Sequence, residues 1–289
     1  MERRPRMKYV DVHCHPNLKG LREDQDAVIG AMREEGIAGI VVGVDLTSSR
    51  EAVALAEKYD NLWATIGLHP NHAFDEEFDE AAFEELISHP KVVAVGECGL
   101  DYYRLPAEEV EGGRLQVEDL KKKQWELLEK QVAFALAHNK PLMVHCRPSK
   151  NSMDAYRDFL GFIEPIIKKN KDVGRPYLRG NMHFFVGNLE VAKRFWDLGF
   201  TTSFTGVLTF THEYDAVVKA APLDMILTET DAPYAAPVPY RGQVNQPVYV
   251  RHVAEAVARI RSEKEEDVAK TVRANAERLF GIALENPKF

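Results

Sequence analysis

Tyr9-Val10-Asp11-Val12-His13-Cys14-His15 is a short apolar run that ends on two histidines, one residue apart. Side chains alternate across a strand, so His13 and His15 share a side and Cys14 takes the other. Working outward, an apolar run finishing on a histidine or a carboxylate recurs four more times. Glu97 follows Val92-Val93-Ala94-Val95-Gly96, and His145 closes Pro141-Leu142-Met143-Val144-His145. His183 falls in the run from Leu178 to Phe184, and Asp231 follows Met225-Ile226-Leu227-Thr228-Glu229. Ile37 to Val44, Leu62 to Leu68 and Phe200 to Phe204 bring the set to eight. Runs that are hydrophobic throughout suit parallel strands covered on both faces. Helical patterns separate them. Ser48 to Tyr59 has Ser and Thr near its start. Val117 to His138, the longest, puts Trp125, Leu128, Val132 and Ala135 on one face, with Asp119, Lys122, Glu126 and Lys130 on the other. Eight βα units predict an α/β fold, a closed (β/α)8 TIM barrel. A doubly wound open sheet is the alternative, but no Gly-x-Gly-x-x-Gly follows the first strand.

The 289 residues contain no internal repeat, low-complexity tract or Ser/Gly linker, which predicts a single domain over 1–289 with residues 1–6 as a flexible arm. Pro106 to Glu118, with Gly112-Gly113, reads as an excursion on the loop after the fourth strand. Ala232 to Pro247 holds four prolines and reads as a long ordered loop over the barrel mouth. Apolar residues make up 45% and charged residues 28%, a balance typical of globular proteins. The net charge of -8 excludes a broad basic surface, so any nucleic-acid contact must be local, with metal ions supplying positive charge. No apolar run approaches the roughly 20 residues that span a bilayer, so no membrane partner is expected. Cys14, Cys98 and Cys146 are odd in number and form no CxxC, which points to a reduced, cytoplasmic setting. Each reads as a small side chain on the helix-facing side of its strand rather than as a zinc thiolate.

Chemistry on such barrels sits at the carboxyl ends of the strands. His13, His15, Glu97, His145, His183 and Asp231 converge there only if the barrel closes. Six donors exceed the four that one zinc takes, so two divalent ions (Zn, Mg or Mn) sharing Glu97 account for them better. Asp231 would then bind metal and accept a proton from water, which makes Glu97 and Asp231 the catalytic candidates. His69, in Gly67-Leu68-His69-Pro70, faces the same mouth, either as a phosphate contact or as a loop cap. Arg147 suits a phosphate oxygen or a pair with Glu97, Asp101 or Asp231. Tyr102-Tyr103-Arg104 suits base stacking and phosphate neutralisation, or packing of the long loop. Glu229 is a candidate for orienting a histidine, or for pairing with a nearby Arg or Lys. His72, His89, His138, His212 and His252 read as surface or helix-end residues.

These segments together resemble the TatD family of metal-dependent deoxyribonucleases, among the amidohydrolase-type barrels. The resemblance rests on Asp11-Val12-His13-Cys14-His15, Ile66-Gly67-Leu68-His69-Pro70, Gly96-Glu97-Cys98-Gly99-Leu100-Asp101, Val144-His145-Cys146-Arg147, Glu229-Thr230-Asp231-Ala232-Pro233-Tyr234, Asn245-Gln246-Pro247 and Asn275-Ala276-Glu277-Arg278-Leu279-Phe280-Gly281. It implies that His13, His15, Glu97 and Asp231 hold one metal and that Glu97, His145 and His183 hold the other. It implies a DNA substrate cut at ends or in single strands, and it favours a substrate role for His69. The chain departs from the family pattern at Phe184-Phe185, Pro148-Ser149-Lys150 and Gln246, all where substrate would be held. A lactonase, amidase or phosphotriesterase, a deacylase of mischarged tRNA, and a non-catalytic binding protein are the alternatives. Binuclear relatives of the first kind often carry a carbamylated lysine at the fourth strand, where this chain has Glu97. No obligate protein partner is evident.

Overall fold

The computed structural model describes residues 7–105, 109–110, 113–114, 117–172 and 177–284. Among these, eight parallel strands form one sheet: β1 (Tyr9–Cys14), β2 (Ile37–Val42), β3 (Leu62–Ile66), β4 (Val92–Asp101), β5 (Leu142–Arg147), β6 (Gly180–Met182), β7 (Thr201–Phe204) and β8 (Ile226–Thr228). Each pairs with its sequence neighbour, and helices cover the outside: α1 (Gln25–Glu35), α2 (Leu46–Lys58), α3 (Glu80–Ile87), α4 (Val117–Ala137), α5 (Asp154–Asp172), α6 (Leu189–Asp197), α7 (Asp215–Ala220), α8 (Val250–Arg261) and α9 (Glu265–Phe280). Side chains close the seam between β1 and β8. Thr228 Oγ1 donates to Val10 O at 3.1 Å, and Asp11 accepts from Thr230 N at 2.9 Å and Thr230 Oγ1 at 2.5 Å. Just above, Asp231 N donates to His13 O and His15 N to Ala232 O. The expected barrel is the fold.

The strands are buried on both faces, as their unbroken apolar runs predict. Outside them lies one large apolar layer that includes Ile29 and Met32 of α1, Tyr156, Phe159 and Ile163 of α5, and Phe195 of α6. Local sequence starts the helices where expected. Asp45 accepts from Ser48 N at 2.6 Å while Ser48 Oγ accepts from Asp45 N, a reciprocal cap that begins α2.

Two irregularities matter for function. Between Val95 and Cys98, β4 spends three steps where β5 spends two, from Leu142 to Val144. Between Asp11 and Cys14, β1 likewise spends three where β2 spends two, from Gly39 to Val41. Each bulge reverses the alternation beyond it. Without them, Glu97 would align with Val144 and His13 with Val41, on the helix-facing side.

Several expected bounds shift. β4 does not end at Glu97 but continues to Asp101, while β2, β3, β6 and β8 are shorter than their apolar runs. The predicted excursion contains a small antiparallel pair, Glu109–Val110 with Gly113–Arg114, and α4 already begins at Val117. The rest of that excursion, and the predicted arm over 1–6, lie outside the described residues. The loop from Ala232 to Pro247 is ordered by its own bonds, including Tyr234 N to Asp231 O and Asn245 N to Pro233 O. Among the described residues no helix is long and apolar enough to cross a membrane.

Candidate metal centre

The carboxyl ends of the strands surround a cavity of about 600 Å³. Glu97 stands at its floor, 4% exposed, and its two oxygens face two separate groups of donors. Oε2 lies 3.4 Å from His13 Nε2 and 3.9 Å from His15 Nε2. Asp231 Oδ1 joins that side, 3.6 Å from His13 Nε2 and 3.5 Å from His15 Nε2, and the two imidazole nitrogens are 3.0 Å apart. Oε1 lies 2.8 Å from His145 Nδ1, 3.1 Å from His183 Nε2 and 3.5 Å from His69 Nε2. The rings of His13 and His183 stack between the two groups at 3.7 Å.

The spacing tests whether a cation fits. Tetrahedral bonds of about 2.1 Å place donor atoms roughly 3.4 Å apart. His13 Nε2, His15 Nε2 and Glu97 Oε2 are separated by 3.0 to 3.9 Å, so one ion can reach these three, and Asp231 Oδ1 stands 3.5 to 3.6 Å from both imidazoles. Imidazole and carboxylate together suit zinc, manganese or magnesium in that order of nitrogen content. The thiols take no part. Cys14 packs with Leu21, Val28 and Ala232, and burial pushes all three thiols up. Cys146 nevertheless reaches the cavity wall, and so does His72, read from sequence as a surface residue.

Most of the histidines are held from behind. His15 Nδ1 donates to Val42 O at 3.0 Å, and His183 Nδ1 donates to Glu229 Oε1 at 3.1 Å. Glu229 is itself fixed by Phe184 N at 2.6 Å and Ser203 Oγ at 2.5 Å, which is the orienting arrangement expected of it. His145 Nε2 donates to Asp101 Oδ2 at 3.2 Å. His69 is different. Its Nδ1 accepts from Asn71 N at 3.1 Å, so the ring proton sits on Nε2, which points at Glu97 as a donor rather than as a lone pair.

The electrostatics follow from packing acids and imidazoles out of water. Burial favours a neutral Glu97, but His183, His69 and His13 outweigh it and hold the carboxyl well below its usual range. Burial and the neighbouring His183 push His13 down to about 3. Burial and His145 push His69 down to about 3. His15, His145 and His183 move up: burial opposes their charge, but Asp231, the Asp101–Glu97 pair and the Glu97–Glu229 pair respectively overcome it. The carboxylates thus draw these three imidazoles toward their protonated form, against the effect of burial.

The predicted substrate residues stand at the rim. Arg104 and Arg147 line the cavity, and the Arg147 guanidinium lies 4.1 Å from the centre of the exposed Tyr103 ring; among the described residues it pairs with no acid. Tyr102 turns inward, its hydroxyl bonded to Asp158 of α5 and Trp125 of α4, so its partners are helices rather than a base. Of the helix-end histidines, His138 pairs with Glu84, His212 with Asp215 and His252 with Glu255.

The structure adds four supports that the sequence reading missed. Asp11 ties β1 to the turn that carries Asp231. Asn245 Nδ2 holds the same turn through Thr230 O and Tyr234 O. From α4, Gln131 bonds both the N–H and the carbonyl of Leu68 at 2.8 Å. Gln124 does the same for Asp101, at 2.9 and 3.0 Å. Glutamines seven residues apart on one helix face were the available signal.

Comparison with known proteins gives the family and a likeness of fold. Residues 10–281 match the family model described as TatD related DNase. The chain is 36% identical to the uncharacterized metal-dependent hydrolase YabD of Bacillus subtilis over 276 residues, 94% of this chain and 98% of that protein. It is 32% identical to the 3'-5' ssDNA/RNA exonuclease TatD of Pantoea ananatis, covering 90% of this chain and 94% of that one. The crystal structure of YJJV, a TatD homologue from Escherichia coli K12, superposes with a TM-score of 0.81 at 24% identity, covering 96% of this chain and 99% of that one, a likeness of fold.

Proposed function

The chain belongs to the TatD-related DNase family of metal-dependent hydrolases, and on that premise we propose that it hydrolyses phosphodiester bonds of DNA at ends or in single strands, using two divalent ions. The observation that carries the two-ion reading is the division of Glu97, one oxygen to each donor group. In this reading His13, His15, Glu97 and Asp231 hold one ion, and Glu97, His145 and His183 hold the other. The relative named as a 3'-5' ssDNA/RNA exonuclease supports a nucleic-acid substrate.

Bound ions supply Lewis acidity, drawing charge from the phosphoryl group and easing deprotonation of water. The chain's own residues do the rest. Asp231, at 13% side-chain exposure the most open carboxylate of the cluster, accepts the proton of the attacking water. His69 offers its Nε2 proton to a phosphate oxygen or to the departing oxygen. Arg147 and Arg104 neutralise phosphate at the rim, and Tyr103 offers a base its ring. Water attacks phosphorus, the bond to the leaving oxygen breaks, and that oxygen takes up a proton.

The test is a time course on end-labelled single-stranded and duplex DNA with magnesium, manganese or zinc. Acylated tRNA, a lactone and a phosphotriester run in parallel. Turnover of one of these three with no cleavage of any DNA would overturn the nuclease reading and keep the hydrolase.

A further inference from the structure

Asp101 belongs neither to the donor set nor to the rim, yet it touches both. It is fully buried on β4, in register with Arg147 of β5. Its Oδ2 accepts from His145 Nε2 at 3.2 Å, which keeps a proton on Nε2, so that the neutral ring a metal needs carries its lone pair on Nδ1, 2.8 Å from Glu97 Oε1. Its Oδ1 accepts from Tyr103 N at 3.0 Å and Arg104 N at 2.8 Å. Gln124 grips its backbone on both sides. We infer that Asp101 is a positioning residue that couples the metal side to the substrate side: one oxygen sets the tautomer of His145, and the other fixes the turn that presents Tyr103 and Arg104.

The chemistry requires a carboxylate. Both of its oxygens accept, whereas an amide accepts on one side and donates on the other. An amide at 101 that kept its oxygen on the two N–H groups of the turn would turn its NH2 toward His145 Nε2. That nitrogen would have to become the acceptor, and the ring proton would move to Nδ1, covering the lone pair that faces the cluster. Asp101→Asn therefore separates the two roles, and Asp101→Ala removes both.

The inference rests on the metal reading above, so its test measures metal directly. Metal-stripped parent and variants are titrated with manganese by calorimetry, and exchange of the Tyr103 and Arg104 amides with deuterium is followed. For Asp101→Asn, one ion should bind about tenfold or more weakly, as for other groups that orient a metal-binding histidine, while amide exchange stays as in the parent. Asp101→Ala should show the same metal loss and exchange the two amides about tenfold faster. Asp101→Asn is close to isosteric, and thermal unfolding reports its fold. Parent-like affinity for both ions in Asp101→Asn would overturn the His145 role, and parent-like exchange in Asp101→Ala would overturn the anchoring role. A parent that binds no manganese would remove the metal reading and the His145 role with it, while the exchange data still decide the other half.

Discussion

Glu97 and His145 stand on adjacent strands, and they meet because β4 carries one residue more than β5 between the pairs Val95–Leu142 and Cys98–Val144. The extra residue turns Glu97 inward and leaves Cys98 facing the helices. The same device in β1 turns His13 and His15 inward. The two imidazoles on the Oε2 side and Glu97 itself thus depend on local breaks in strand period, in β1 and in β4.

Replacing Glu97 with Gln should be the most damaging single change at the site. It keeps size and removes the charge shared by the two donor groups. Turnover should fall about 10³-fold or more, roughly 4 kcal/mol of transition-state stabilisation. Elemental analysis should show less than one ion per chain. Full metal content with full activity would sink the bridging role.

Metal binding should release protons. The carboxylates beside His15, His145 and His183 raise their pKa values against burial, so in the metal-free protein these rings hold their protons to a higher pH than a free imidazole does. A metal needs the neutral ring, so the proton competes, and competition strengthens as pH falls. Affinity should therefore rise with pH, up to about tenfold per unit for each proton displaced. Calorimetry in buffers of different ionisation enthalpy counts those protons. Affinity independent of pH across about pH 6 to 8 would contradict it.

Arg147→Ala should raise KM for an oligonucleotide with metal content unchanged. One charge-assisted contact to phosphate is worth about 1.5–3 kcal/mol, roughly ten- to a hundredfold. Tyr103→Ala should act in the same direction, because the ring and the guanidinium stack on each other. If steady-state kinetics on DNA are unaltered in both variants, the pair is structural.

Closed circular duplex should resist cleavage while linear single strands are degraded. The cavity of about 600 Å³ admits a strand end more readily than an intact duplex. Gel analysis of both substrates with the same enzyme decides it, and rapid nicking of the circle would contradict end entry.

Two glycines should behave oppositely. A Cβ on Gly99 would stand 1.9 Å from His145 O, at a φ of +144°, so Gly99→Ala should cost roughly 3 kcal/mol of stability. A Cβ on Gly161, inside α5, meets nothing within 4 Å, so Gly161→Ala should stabilise by about 0.5–1 kcal/mol. Urea unfolding of the two variants gives both signs.

The barrel and the residues that gather at its mouth were legible because residue identity marks them: apolar runs for strands, then His, Glu or Asp at their ends. The bulges were not, since a period of two carries no mark of where it breaks. Gly96 and Gly99, on either side of Glu97, were the nearest hint, and both hold positive φ against the backbone of β5. Ending the fourth strand at Glu97 hid Asp101, which only a longer β4 brings beside His145. Gln124 and Gln131 escaped because apolar spacing on α4 drew attention to Leu128 and Val132. Their polar ends find partners only once strands and helix are assembled.

The two glutamines of α4 also bear on how this chain tolerates change. They fasten the helix to the tips of β3 and β4 independently of residues 102–116, which join β4 to α4 in sequence. That connection therefore hangs from a frame already fixed at both of its ends. Changes of length or composition between β4 and α4 should leave Leu68 and Asp101 where the two glutamines hold them.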